Sequence, residues 1–344
     1  MSGTSKIRTI LSNVSISLAS IALCLLAIEV FFVVRHESVI SELEKGRGER
    51  ELCTLSSPIP DLIYTGTPGK CGKNSRGYRD RERSFDKSEG IFRVVVIGDS
   101  VASGHGVPIE NSVASLLEED LNQTASGEGT VEVVNLSVTG YSTSQQLIVL
   151  EREAFRYKPD LIIWSYVLND PFHPVYHNPN GEIGLYHYRP SWHAAHFVDK
   201  KLFLIREKFR KKNCYGNEIH LSKHCIYREE IKANIQQIGR IAAAEGVPIL
   251  FVIHPVFDSE GGFSPYFLAT VHEELADFAS TAGLSVLDLT DAYAHHDPGE
   301  LAFPMLKGYD PWHPNEKGHA IAAEALFTQI VQAPVFKLWL EEHK

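Results

Sequence analysis

Positive charge is scarce in this chain: 33 lysines and arginines stand against 43 acidic residues, a formal net charge of −10. Affinity for nucleic acid comes mostly from neutralised phosphates, so the deficit speaks against a nucleic-acid partner. Long hydrophobic runs are scarce too, with one near the N-terminus and none of comparable length after it, which excludes a multi-span membrane protein. Repeats are absent, and with them solenoids and collagen-like helices. A balance of 44% hydrophobic to 22% charged residues excludes disorder throughout. At roughly 150 residues per domain, 344 residues make one large domain or two small ones.

The one long apolar run extends from Ile10 to Val34, preceded by Lys6 and Arg8 and followed by Arg35. Its only charged side chain is Glu29, and about 20 apolar residues suffice to span a bilayer. A cleaved signal peptide is the rival, but its apolar core would be shorter and would end at a small-x-small site. Here the run continues through Phe31, Phe32, Val33 and Val34, and Leu23 before Cys24 is wrong for lipoprotein processing. An uncleaved signal anchor is the preferred reading. Basic residues do not favour export of the downstream chain: Lys6 and Arg8 precede the run, while Arg35, Lys45, Arg47 and Arg50 come soon after it.

Cysteine argues the other way. Of five cysteines, four lie beyond the apolar run, in two sequence-local pairs, Cys53 with Cys71 and Cys214 with Cys225, each in a loop-like stretch. Such pairs suit disulfides in an oxidising compartment, each closing a loop worth on the order of 3 kcal/mol. The alternatives are free thiols, or zinc held by Cys214, His220, His224 and Cys225. On the disulfide reading the short tail stays inside and the larger part is extracytoplasmic, in the periplasm.

Residues 36–90 carry turn signals such as Pro58, Pro60 and Pro68-Gly69, and read as a neck. From Phe92 the pattern changes. Phe92–Ile97 is a near-continuous apolar run, the mark of a strand buried on both faces, and Val131–Val138, Leu161–Val167, Pro248–Ile253 and Ser285–Leu289 repeat it. Helical stretches alternate with them at Ser112–Asn122, Ser144–Tyr157, Arg228–Glu245, Pro265–Ala282 and Glu316–Gln332. Alternation of this kind predicts an α/β fold, a parallel sheet of about five strands between helices.

One stretch interrupts the alternation. Residues 171–226 are far longer than a usual connection of about 4–6 residues and are rich in His and aromatics, among them Phe172, His173, Tyr176, His177, Tyr186 and Trp192. Pro174 spoils His173 and His177 as a helical metal-binding pair. The stretch runs into Val198–Lys212, with seven basic and two acidic residues, which reads as a basic amphipathic helix with Leu202, Phe203, Ile205 and Phe209 on its apolar side. A solvated helix packed on the domain is the first reading of it; a membrane-surface or anionic-glycan contact is the second.

Four polar motifs are placed at one rim of the expected sheet. The first strand ends in Gly98-Asp99-Ser100, just before a helix, where ligands bind in open α/β sheets. The second exits toward Gly140, the third through Asn169-Asp170, and Asp310-Pro311-Trp312-His313 precedes the last helix. Each fits a role in acyl transfer. Ser100 is the candidate nucleophile and His313 its base, with Asp310, three residues earlier, fixing the tautomer. The backbone N–H groups of Ser100 and Gly140 and the Asn169 amide are the candidate oxyanion donors. Structural alternatives exist for some: Gly140 merely permitting a turn, Asn169-Asp170 merely ending a strand. Asp99 reads as a structural partner beneath the nucleophile. His254 reads as a site wall or a structural histidine, and His105 and His319 as structural. Asp288 and Asp291 lack the local coupling to His313 that Asp310 has.

These blocks, in this order over Phe92–Val331, resemble the SGNH/GDSL hydrolase family. Val101 stands in place of the Leu of the GDSL signature, and Val167 in place of the glycine of the third block. The segment Asn74-Ser-Arg-Gly77-Tyr-Arg79-Asp80 resembles membrane-anchored bacterial members. The resemblance implies a three-layer, flavodoxin-like sandwich and carboxylic ester chemistry with no cofactor and no metal. The expected organisation is a cytoplasmic tail over 1–9, a transmembrane signal anchor over 10–34 and an extracytoplasmic neck over 35–90. A hydrolase domain over 91–333 with an insert at 171–226, and a C-terminal tail over 334–344, complete it. The expected activity is hydrolysis of a short acyl ester on a cell-envelope glycan through an acyl-enzyme on Ser100. The alternatives are O-acyl transfer by the same triad, or a lipase or lysophospholipase; the oligomeric state is left open.

Overall fold

The computed structural model describes residues 3–47, 53–125, 129–176, 180–212, 214, 219–257, 262–306 and 308–343. Arg50 and His177 lie outside these, as do the side chains of Lys6, Lys45, Arg47 and His220. The chain divides into two bodies, one of residues 1–50 and 188–212, the other of residues 51–187 and 213–344.

In the first body, helix α1 (Gly3–Arg47) contains the apolar run and continues past it. Among the described residues it is the one helix long and apolar enough to cross a membrane. The basic amphipathic helix, designated α4, forms as expected over His193–Lys211 and groups with α1.

The second body is built on five strands: β1 (Ile91–Ile97), β2 (Thr130–Asn135), β3 (Leu161–Tyr166), β4 (Ile249–Ile253) and β5 (Ser285–Asp288). They pair in parallel in the order β2-β1-β3-β4-β5, so the order reverses at β1, between β2 and β3. Register places Val94 beside Val133, Val96 beside Ile163, Trp164 beside Phe251 and Val252 beside Leu287. All of these but Leu287, which is half-buried on the edge strand, are buried β-branched or aromatic residues of the core. Helices α2 (Val113–Thr124) and α7 (Glu316–Gln332) form one outer layer. Helices α3 (Thr143–Arg152), α5 (Ile219–Glu245) and α6 (Ala269–Thr281) form the other. The result is the expected three-layer α/β sandwich. Residues 334–342, set apart in the sequence as a tail, form α8 (Pro334–Glu342), whose Phe336 packs edge-on against Phe92 at 5.0 Å.

The two cysteine pairs form disulfides, Cys53–Cys71 and Cys214–Cys225, with Cα atoms 5.6 and 5.8 Å apart. Among the described residues no group of three metal-ligating side chains occurs. Cys225 is in a helix rather than the loop expected of it. Helix α5 starts at Ile219 because Ser222, His224 and Ile226 are already buried. His224 and Arg228 both reach Glu274 of α6, at 2.6 and 2.7 Å, which ties that early turn to its neighbour.

Candidate active site

Gly98 ends β1 where a side chain has no room. A Cβ there would lie 2.8 Å from the Ala102 Cβ and 3.0 Å from Ser165 of β3. The chain then turns through Asp99 and Ser100. Asp99 Oδ1 accepts from the Val101 N–H at 2.9 Å, and the Ser100 carbonyl accepts from the His105 N–H at 3.0 Å. The helix expected over Ser112–Asn122 forms at Val113–Thr124, after a further turn. Gly104 and Gly106 take φ of +71° and +88°, which end any right-handed turn, and α2 begins only at Val113, capped by Ser112.

This turn is clamped from two sides. The Asn135 side-chain amide, at the end of β2, donates to the Ala102 carbonyl at 2.8 Å. The Arg79 guanidinium donates to the carbonyls of Ser103 at 3.0 Å, Gly104 at 2.7 Å and Val107. Arg79 belongs to the segment singled out before β1, and the sequence gives it no role. Its contacts are with main-chain oxygens of a turn, which leave no residue-type signature.

His313 and Asp310 lie on a short antiparallel hairpin, Ala302–Pro304 with Tyr309–Pro314. The Asp310 Oδ1 atom accepts from the N–H groups of Trp312 at 2.8 Å and His313 at 3.2 Å, while Oδ2 accepts from the His313 Nδ1–H at 2.8 Å. With Nδ1 as donor, Nε2 carries the lone pair, and it lies 2.9 Å from Ser100 Oγ. Ser100, Asp310 and His313 are thus joined in one line across 213 residues of sequence. Burial by itself would raise the Asp310 carboxyl, but its bonds from His313 and Trp312 outweigh that and hold it below the ordinary value.

Beneath the line sit two fully buried carboxyls. Burial raises Asp99, against the pull of the Val101 N–H and the nearby His313, and its Oδ2 lies 3.2 Å from Ser100 Oγ. Burial and the Asp99 charge together raise Asp170 well above the usual range.

Gly140 has φ +79° in the loop after β2, anchored by the Tyr64 hydroxyl, which donates to the Thr139 carbonyl at 3.0 Å. The Thr143 N–H donates to the Asp170 carbonyl at 2.8 Å, which joins this loop to the Asn169-Asp170 turn. Asn169 is buried, and its Oδ1 has no hydrogen-bond partner among the described residues. A buried polar atom left unpaired calls for an explanation, and a functional site is one.

His105, read in sequence as structural, lies with its ring centre 4.7 Å from that of His313, the two planes tilted by 48°. Burial, and after it His313, lower its pKa. Its position five residues after Ser100 in one tight turn was the available signal. His254 is buried at the end of β4, 2.9 Å from Ser165 Oγ, and is driven down to about 4 by burial. Asp288 pairs with His272 at 2.9 Å rather than with His313.

A family model described as GDSL-like lipase/acylhydrolase matches residues 96–321. The chain belongs to that family. All the residues of the four blocks fall within the matched span, so the resemblance read from them holds. An arylesterase of Vibrio mimicus is 32% identical over 83 residues, which are 24% of this chain and 40% of that protein, so this chain spans about 40% of the length of that curated relative. Among solved structures, an α/β hydrolase enzyme from the metagenome of Lake Arreo, Spain, is 16% identical, with a TM-score of 0.46 over 72% of this chain and 99% of that one. An acetylxylan esterase from Geobacillus stearothermophilus gives the same identity of 16% and TM-score of 0.46, over 70% of this chain and 94% of that one.

Proposed function

We propose that this member of the acylhydrolase family is a serine esterase working through an acyl-enzyme on Ser100. The observation that carries the reading is the unbroken hydrogen-bonded line from Ser100 Oγ through His313 to Asp310. As Oγ attacks the ester carbonyl, Nε2 takes the hydroxyl proton, and the imidazolium so formed is held by Asp310. The carbonyl oxygen becomes an oxyanion facing the N–H groups of Ser100 and Gly140 and the Asn169 amide. Collapse expels the alcohol, which receives its proton from Nε2. Water then repeats the sequence on the acyl-enzyme, losing its proton to His313 and releasing the acid.

The location is argued from the first part of the chain. Helix α1 is long and apolar enough to anchor the protein, and the two disulfides suit an oxidising compartment, which supports a single-pass membrane protein with its catalytic domain in the periplasm. A membrane-tethered esterase meets envelope material first, and the aromatic-rich stretch from Phe172 to Trp192 suits sugar rings. The substrate in this reading is a short acyl ester on an envelope glycan.

An acyl-length series of chromogenic esters on the full chain in detergent tests it, with and without a glycan acceptor. Turnover should be greatest for short acyl groups and vanish in Ser100→Ala, whose loss of one oxygen leaves the fold intact. Full activity in Ser100→Ala would refute the nucleophile. Acyl transfer to the glycan in preference to water would replace the hydrolase with a transferase.

A further inference from the structure

Helix α4 has two unlike faces. His193, His196, Lys200, Phe203 and Glu207 recur at helical spacing and are half-buried. Phe203 is therefore on the packed side, not with the apolar residues grouped with it from sequence. Diametrically opposite, Val198, Leu202, Ile205 and Phe209 recur at i, i+4, i+7 and i+11 and form a bare apolar stripe, each 44–63% exposed. Lys201, Lys208 and Lys212 line one flank of that stripe, and Arg206 and Arg210 the other. Of the two acidic residues, Asp199 stands off on the second flank and Glu207 on the packed face.

The start of this helix is fixed by α1. Trp192, at the N-cap position, makes no side-chain cap. The Glu29 carboxylate does so instead: Oε1 accepts from the His193 N–H at 2.7 Å and from its Nδ1 at 3.0 Å, and Oε2 from the Ala194 N–H at 2.9 Å. Phe197 then packs on Phe32 at 4.6 Å, with the Arg35 guanidinium 5.7 Å above its ring. Glu29 and Phe32 lie within the last turns of the apolar run that ends at Val34. The one charge in the run thus serves as the N-terminal cap of another helix, where a carboxylate satisfies orphan N–H groups and meets the positive end of the dipole.

We propose that α4 is a membrane-surface helix, its apolar stripe seated among the acyl chains of an anionic leaflet and its flanking lysines and arginines on the lipid headgroups. This rests on the reading that α1 crosses the bilayer, since the Glu29 cap then sets the first turn of α4 at headgroup depth. Charge decides the occupant. A stripe bordered by cations matches an anionic surface, whereas a second copy packed stripe to stripe would bring its lysine rows against those of the first.

The test uses the full chain with Cys24→Ser, reconstituted into phosphatidylcholine vesicles with and without phosphatidylglycerol. Single nitroxide labels are placed through Ile205→Cys, Phe209→Cys, Asp199→Cys and Leu18→Cys, and retained ester turnover shows that each labelled protein is folded. At 205 and 209, collision with oxygen should exceed collision with a nickel chelate, and at 199 the order should invert. The contrast should deepen with phosphatidylglycerol. Nickel-dominated labels at 205 and 209 beside an oxygen-dominated label at 18 would overturn the surface helix and leave the anchor standing. A nickel-dominated label at 18 would overturn both. Spin–spin broadening at 209 that dilution with unlabelled protein removes would assign the stripe to a second copy.

Discussion

Acid should unfold this protein through two imidazoles that the reaction does not use. His254 and His319 are both buried, and burial, first among their causes, lowers them from 6.5 to about 4 and about 3. Neighbouring cations and imidazoles add to the effect, His272 on His254 and His254 on His319. Linkage gives the sign. Below the unfolded value the unfolded chain binds protons that the folded chain refuses, so stability is full above about pH 7.5 and falls as the pH drops toward the folded values. At about pH 5 each imidazole contributes a loss of RT ln(1 + 10^1.5), about 2 kcal/mol, or about 4 kcal/mol together. That magnitude depends on the unfolded value, because both folded values lie below pH 5. Against a typical stability of about 5–15 kcal/mol it is a large fraction. Asp99 and Asp170, raised by burial, act in the opposite sense, so the test is a difference between variants. Urea unfolding of the detergent-solubilised chain, monitored by tryptophan fluorescence, should show a smaller loss between about pH 8 and pH 5 in His254→Gln and in His319→Gln, by about 2 kcal/mol each. The same pH dependence in wild type and both variants would refute the reasoning.

Asn169→Ala should lower kcat for a short chromogenic ester by roughly 10²–10³, the usual loss for one oxyanion donor, with KM little changed. Asp310→Ala should cost less activity than His313→Ala, and the double variant should be no worse than His313→Ala, since the two act as a unit. Arg79→Gln should lose about 2–4 kcal/mol of stability, because three turn carbonyls lose a charged donor. Its kcat should fall by about 10–100-fold as Ser100 drifts from His313, and chemical denaturation beside steady-state kinetics separates the two effects. Replacing Cys53 and Cys71 together by serine should lower the urea midpoint by an amount equivalent to about 3 kcal/mol; envelope-derived protein mapped without reductant should carry both pairs oxidised.

Local features of the sequence carried most of the fold. Strands buried on both faces read as near-continuous apolar runs, so Phe92–Ile97, broken only by Arg93, and Leu161–Tyr166, broken only by Ser165, stand out without any tertiary information. Asp310 and His313 are legible because their coupling is local, within one hairpin strand. Ser100 is legible because it ends such a strand. Arg79 is not, since its partners are backbone oxygens whose positions depend on the positive-φ glycines of a turn. Nor is the early start of α5, where burial of Ser222 and His224 overrides polar composition. Helical spacing by itself sets Phe203 about 100° round from Leu202, off the exposed stripe, and the structure adds which of the two faces of α4 is packed. The Glu29 cap could not be read at all, since it joins residues 164 apart.

The 2.9 Å distance from Ser100 Oγ to His313 Nε2 depends on how two separately supported pieces meet. The Ser100 turn is held by the sheet and by Arg79, whereas His313 sits outside the sheet on its hairpin. That hairpin is fixed at three points. The Phe257 N–H, just past β4, donates to the Pro311 carbonyl at 2.8 Å, and the Asn315 N–H donates to the Leu301 carbonyl at 2.6 Å. Asn315 also caps α7 by accepting from the Gly318 N–H at 3.1 Å. Gly318 has no room for a Cβ, which would lie 2.7 Å from the Leu301 oxygen. So α7 begins directly against the hairpin, and His313 is two residues from a rigid cap. Electrostatics completes the arrangement. Burial raises both Asp99 and Asp170, while the bonds from His313 and Trp312 hold Asp310, behind His313, below the ordinary value. In the proposed mechanism the Asp310 carboxylate favours the imidazolium that would form as Ser100 gives up its proton, with no reorganisation of the protein at that moment.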